Sequence, residues 1–593
     1  MALFLKKLLS IFSQKEKIVL FLILVLLVIT ASLEVMSIAF FAPFLKIATD
    51  PTYLQNNIYL LQLYNYFNFS QIQNFIIFLG SIAVFILLIS SCLTMISNWT
   101  FIQYTHFNGY NLSGRLFLYY LSKPWNFHLV NEKNFLTKKI IYDVETLISQ
   151  ILIPFLFLCS KVISIIFIFA FLLFTNFYLT CYLFFSFFLF YYIFFFLIKK
   201  KLSVNSVLIS HNQQEKIKIL NDTISGIRDI ILANKKNFFY ENFFQANKIY
   251  HKKIATVIAL SQIPRGILEI ISIITILVIF IIYLNLYNDD LAKIIPILAI
   301  YALSGFKLIP ALQNIFQNLS IIKGSLHSFN LIINDLILSK VEGDKCSEAL
   351  VIPEFLFEEK VSLNQISYNY PSRNFSVLNS LNLEIKKNKT TSIIGPNGSG
   401  KSTVIYIILG LVSPTSGFML IDGKKLDTQE KIISWQKKIG YVSQNIFLFN
   451  DTILNNITFG LDQKELNFKV VLQIIKFCDL DKFIDSLPDG LNTQVGDNGI
   501  SLSGGQKQKI AIARCLIKKS DIIIFDEATS ALDPVSEKNI NNFILKLSGK
   551  KTIINITHKM DSIKNSDNIY YINNGTVVAE GTYEEVMKLN KIK

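Results

Sequence analysis

The chain has 593 residues and a formal net charge of +15, yet only 17% of its residues are charged and 52% are hydrophobic. With a mean hydropathy of +0.44, that balance excludes a disordered chain and a purely soluble enzyme. Nor does the charge describe a nucleic-acid binder: only five of the 57 cationic residues are arginine, and the lysines gather between apolar stretches.

A spanning helix needs about 20 apolar residues, and six stretches qualify: Ile18–Ile47, Asn74–Thr105, Ile151–Thr175, Phe177–Ile198, Ile254–Leu284 and Leu291–Ile321. The first is too long for a cleaved leader and reads as a retained span. Lysine and arginine crowd the N-terminus (Lys6, Lys7, Lys15, Lys17), the loop after the second span (Arg115, Lys123, Lys133, Lys138, Lys139) and the start of the loop after the fourth (Lys199–Lys201). Residues 48–73 carry neither. Both termini are therefore expected on the cytoplasmic side. The six cysteines form no CxxC pair and no ligand cluster, as in a reducing compartment.

Charges within spans cost about 2.5–3.5 kcal/mol each near the membrane centre, so Glu34, Arg265, Glu269 and Lys307 stand out. Arg265 and Glu269 are four residues apart and can pair along one helix. Alternatively, Arg265, beside Pro264, and Lys307, within Gly305–Pro310 and so near a helix breaker, face an aqueous cavity and hold an anionic headgroup. In the first outer loop Leu54, Ile58, Leu61 and Tyr64 recur at helical spacing, which predicts one amphipathic segment at the membrane interface. Residues 323–350 read as a polar linker. The expected division is 1–325 membrane domain, 326–355 linker and 356–593 soluble domain.

In the soluble part, short apolar strands alternate with helical patterns, indicating an α/β domain. The apolar strand Thr391–Ile394 runs into Gly395-Pro-Asn397-Gly398-Ser399-Gly400-Lys401-Ser402-Thr403 and then a helical pattern. This is a phosphate-cradling loop in its required context: glycines turn backbone N–H groups toward phosphate, Lys401 neutralises it, and Ser402 ligates Mg2+. A second buried-strand pattern, Ile522–Phe525, ends in Asp526-Glu527. One acid there can serve Mg2+, and its neighbour can polarise water. Between them lies Leu502-Ser503-Gly504-Gly505-Gln506.

That pentapeptide, in that place, resembles the signature of the ATP-binding cassette family. The resemblance extends to Tyr370 as the adenine-stacking aromatic, Gln444 as the Mg2+-sensing glutamine, Asp533 in the loop after the second acid, and His558 as the γ-phosphate contact. It implies ATP and Mg2+ as ligands, with Glu527, His558, Lys401 and Gln444 in catalysis and Ser402, Gln444 and Asp526 around the metal. It implies a homodimer, because Ser503–Gln506 of one chain closes on ATP held by the other. Stretches 124–134 and 225–234 occupy the places of the coupling helices. Thr493–Gly499 resembles the exporters' cross-linking loop, with Gln494 where an acid is usual. The implied fold is an α-helical polytopic membrane domain of six spans followed by an α/β P-loop nucleotide-binding domain.

End to end, the chain is similar to bacterial flippases of lipid-linked oligosaccharides. Glu34 with Pro43, the outer segment, Ile263-Pro264-Arg265, Lys307-Leu308-Ile309-Pro310 and Gln444–Asp451 carry that resemblance. It implies a bacterial inner-membrane location, with Arg265, Lys307 and Glu34 at the anionic headgroup and Leu54, Ile58 and Leu61 against the lipid. The second span lacks the cation this family implies there. A lipid A-type glycolipid flippase and a peptide or drug exporter share the architecture, whereas a gating or sensor role fits an intact Glu527 and His558 less well.

Overall fold

The computed structural model describes residues 2–286, 291–346, 356–370, 375–461, 466–496, 499, 501–528, 534–559 and 562–589. It divides into two compact units, 1–123 with 131–348 and 124–130 with 349–593.

Among the described residues the first unit holds six helices long and apolar enough to cross a membrane: Gln14–Thr49, Ile72–Leu121, Lys133–Thr175, Phe177–Ser225, Lys236–Ile282 and Ile294–Val341. Local chemistry sets their ends. Ser13 starts the first with a capping box, its hydroxyl accepting from the Glu16 N–H while the Glu16 carboxylate accepts from the Ser13 N–H. Asn176 ends the third span and begins the fourth, its side-chain oxygen accepting from the Leu179 N–H at 3.2 Å. A core of Ile38, Ile168, Leu172, Leu183, Phe187, Leu268 and Leu308 joins the bundle. Large side chains such as Phe21, Phe174 and Phe185 face outward, as lipid-facing positions require.

Two expectations are corrected here. The last helix continues to Cys346, so much of the stretch taken as linker from 326 is helix; Phe329, Ile332, Ile333 and Leu336 supply a buried apolar stripe among the polar residues. The outer segment is two short helices, Tyr53–Asn56 and Ile58–Tyr66, because Asn57 caps the second. That break shifts the phase. Leu54, Leu61 and Tyr64 pack against Ile47, Phe75 and Leu79, whereas Ile58 is 70% exposed.

The second unit contains two sheets. Strands β1 (Lys360–Tyr368), β2 (Leu378–Lys386), β4 (Ser416–Ile421) and β5 (Lys424–Lys425) form an antiparallel sheet in the order β2-β1-β4-β5. Strands β3 (Thr390–Ile394), β6 (Ile439–Val442), β7 (Ile522–Asp526), β8 (Thr552–Ile556), β9 (Asn568–Asn573) and β10 (Thr576–Gly581) form the other, in the order β10-β9-β3-β8-β7-β6. All its pairings are parallel except the β9–β10 hairpin. β3 and β8 are buried along their whole length, as strands covered on both faces must be. In such a sheet ligands gather at the carboxyl ends of the strands, and the motif residues lie there.

Candidate functional site

β3 delivers the phosphate loop. Gly395, Gly398 and Gly400 have φ of +153°, +79° and +103°, conformations that a residue with a Cβ rarely adopts. Space enforces the same choice: a Cβ on Gly395 would lie 2.0 Å from the Ile572 carbonyl oxygen, and one on Gly400 would lie 2.7 Å from Leu378. The helix Lys401–Ile408 follows directly. Buried Lys401 donates to the carbonyl oxygens of Gly395 and Pro396, both at 2.9 Å. Burial pulls its ammonium down, while the charges of Glu527 and Asp526 push it up. Ser399 Oγ is buried without a hydrogen-bond partner among the described residues, a donor that a phosphate oxygen would complete. Asn397, Gly398 and Ser402 are exposed, and Thr403 is buried.

Three neighbouring strands, β6, β7 and β8, bring the remaining groups together. Gln444 follows β6, Asp526 ends β7 with Glu527 next after it, and His558 follows β8. Gln444 Nε2 donates to Glu527 Oε2 at 2.7 Å, and His558 Nε2 lies 2.9 Å from Glu527 Oε1. Glu527 has φ +48°, a strained conformation of the kind held in place at functional sites. Its N–H donates to the Ile556 carbonyl at the end of β8. Tyr441 on β6 donates to Asp526 Oδ2 at 2.8 Å. Burial raises the Asp526 carboxyl above its ordinary value; the Tyr441 bond opposes this, Glu527 adds to it, and Lys401 opposes it. Tyr370 is partly buried, its hydroxyl 3.2 Å from Thr403 Oγ1 and its ring edge-on to Tyr368.

Ser503 caps the helix Gly504–Ile517 in a second capping box with Gln506. Ser503 and Gly504 are exposed and Gly505 is half-buried. No hydrogen bond joins 503–506 to the phosphate loop among the described residues. Asp533 lies outside the described residues. Short helices do form in the two stretches expected to couple: Trp125–Val130 and Ile227–Leu232. The first clusters with the nucleotide-binding unit, where Tyr368 donates to Asn126 Oδ1 at 3.0 Å.

Within the spans, Arg265 pairs with Glu269 at 3.0 Å and both side chains are exposed. Glu34 is buried and accepts from Ser164 Oγ at 3.0 Å. Lys307 is half-buried with no ion pair among the described residues, and none of Glu34, Arg265 and Lys307 bonds to another. A further cation lies well inside a span. Lys161 stands half-buried in the third span, one helical turn before Ser164, with no ion pair among the described residues. Its signal was a single lysine inside an otherwise apolar run.

The described residues combine six helices long and apolar enough to cross a membrane with a nucleotide-binding α/β domain of the P-loop type. Residues 378–530 match the family model described as ABC transporter. Over 96% of its length the chain has the fold of a bacterial Atm1-family ABC exporter solved with ATP bound, at TM-score 0.78 and 20% identity, covering 96% of that structure. It is 29% identical over 395 residues to the heterocyst differentiation ATP-binding protein HepA of Nostoc sp., a match covering 66% of this chain and 63% of the relative. It is 40% identical over 233 residues to an ATP-dependent lipid A-core flippase of Pseudoalteromonas translucida, covering 39% of each. The chain thus has the fold of an ABC exporter and carries an ABC transporter cassette.

Proposed function

We propose that this protein is an ATP-driven exporter that moves a polyprenyl-pyrophosphate-linked oligosaccharide from the cytoplasmic to the outer leaflet of a bacterial inner membrane. The observation carrying the ATPase reading is the grip on Glu527: a carboxylate held from both sides by Gln444 and His558 is positioned to polarise an attacking water. Lys401 would leave its loop carbonyls for the β- and γ-phosphates, and Ser399 would gain the acceptor it lacks. The residues also fit Mg2+: Ser402, Asp526 and Gln444 would hold it beside the phosphates, where it supplies positive charge. The exposed Ser503 cap fits closure on ATP bound by a second copy, so the working unit is a homodimer.

The substrate reading rests on Arg265, Lys307 and Lys161, cations within spans where a charge is costly unless it serves a pathway. A pyrophosphate linker matches them, and an uncharged drug does not. Both termini are assigned to the cytoplasm by the lysine bias. A lipid A-type glycolipid is the second reading, favoured by the names of relatives that share the cassette. ATPase activity of the reconstituted protein, titrated with each lipid, separates the two. Stimulation by the polyprenyl glycolipid, weakened about tenfold or more in apparent affinity by Arg265→Ala through loss of a charged contact, supports the first. Stimulation by lipid A alone supports the second.

A further inference from the structure

The first unit contains a cavity of about 230 Å3, open to solvent, among the third, fourth, fifth and sixth spans. Its polar lining comes from Gln150, Ser206, Gln213, Tyr250, Ser325 and Ser328, with Ile254 and Val257 giving it an apolar side. Among the described residues, none that lines it is charged. Ser325 Oγ donates to Gln150 Oε1, and Ser206 Oγ accepts from the His327 N–H at 3.0 Å. The Lys216 ammonium sits 4.3 Å over the Tyr250 ring rather than in the lining. Gln150 falls in a π-helical turn, Ile148–Leu152, a feature that often re-aims side chains at functional sites.

Position narrows what the cavity takes. Gln150 is 26 residues from the Asn176 turn, about 39 Å along a helix at 1.5 Å per residue. That exceeds the hydrocarbon thickness of about 30 Å, so the cavity belongs to the watery end of the bundle and not to a lipid tail. A phosphate or carboxylate would find no cation in its lining. Amide, hydroxyl and phenol groups beside an apolar wall match the hydroxyls and C–H faces of sugars. We propose that this cavity is an entry subsite for the uncharged sugar residues of the substrate, separate from the cations that meet the linker. The inference rests on the glycolipid reading above.

The test uses the full chain in liposomes and a polyprenyl-pyrophosphate oligosaccharide with a photoreactive diazirine on its sugar. Irradiation without ATP, followed by peptide mapping, should place adducts within 146–150, 206–213 and 321–328. Gln213→Ala should reduce adduct yield at low probe concentration by about fivefold, the effect of one lost hydrogen bond. Ser328→Phe should do the same by filling the space. Melting curves identify a variant that misfolds, and Gln213→Ala removes only a half-buried amide. Adducts elsewhere, or unchanged yields in folded variants, overturn the subsite. ATP-dependent flipping of the same probe is read in parallel. Adducts without flipping keep the subsite and overturn the transport reading; flipping without adducts does the reverse. The absence of both overturns both.

Discussion

Gln444 Nε2 lies 2.7 Å from Glu527 Oε2, joining residues 83 positions apart. With His558 on the other oxygen, it fixes the carboxylate that the proposed mechanism needs as a base. Glu527→Gln keeps the size but removes the charge. Turnover should fall about 10²–10³-fold, as when one group aimed at the reacting centre is lost, while ATP binding persists. Single-turnover hydrolysis alongside nucleotide binding separates the two effects.

Asp526 offers a test by pH. Burial raises its folded carboxyl above the ordinary value of 3.8. The nucleotide-free fold therefore binds more protons than the unfolded chain across that interval. Its contribution to stability is full below the ordinary value and is lost as pH rises through the raised one. Asp526→Asn should flatten this part of the nucleotide-free stability profile and raise the melting temperature at neutral pH, while sharply lowering ATPase activity. Melting curves across pH check the first claim.

Buried charge in the membrane unit gives a stability prediction. Lys138 and Asp143 have fully buried side chains 3.3 Å apart, and Lys138 also donates to Ser210 Oγ. Asp143→Ala leaves the lysine without its counter-charge and should cost about 3–5 kcal/mol. Adding Lys138→Met should recover much of the loss. Chemical denaturation in detergent measures both.

The Tyr368–Asn126 hydrogen bond ties the segment 124–130 to β1 of the cassette. Tyr368→Phe removes one neutral bond, about 1 kcal/mol. Basal ATP hydrolysis should persist, while the number of lipids moved per ATP falls. Paired ATPase and transport rates on one preparation test this.

What was legible in the sequence was local in sequence. The run Gly395–Thr403 combines strand, loop and helix within a few residues, and the spans announce themselves by length. The Glu527 grip was not legible, because only the strand order β8-β7-β6 brings its partners together. Past residue 323 the last helix is hard to see in the sequence because its apolar stripe is narrow among polar residues. The outer segment departs from one helical spacing because a single Asn57 cap shifts the phase and turns Ile58 outward. Lys161 is inconspicuous because one charge hardly changes the hydropathy of its span.

The most direct test of the central claim is ATP-dependent flipping of a fluorescent polyprenyl-pyrophosphate oligosaccharide by the purified protein in liposomes. Wild type should expose the glycan on the opposite leaflet only with ATP and Mg2+, Glu527→Gln should not, and Arg265→Ala should do so much more slowly. ATP hydrolysis at full rate with no movement of this lipid would contradict the account and leave a cassette ATPase with a different cargo.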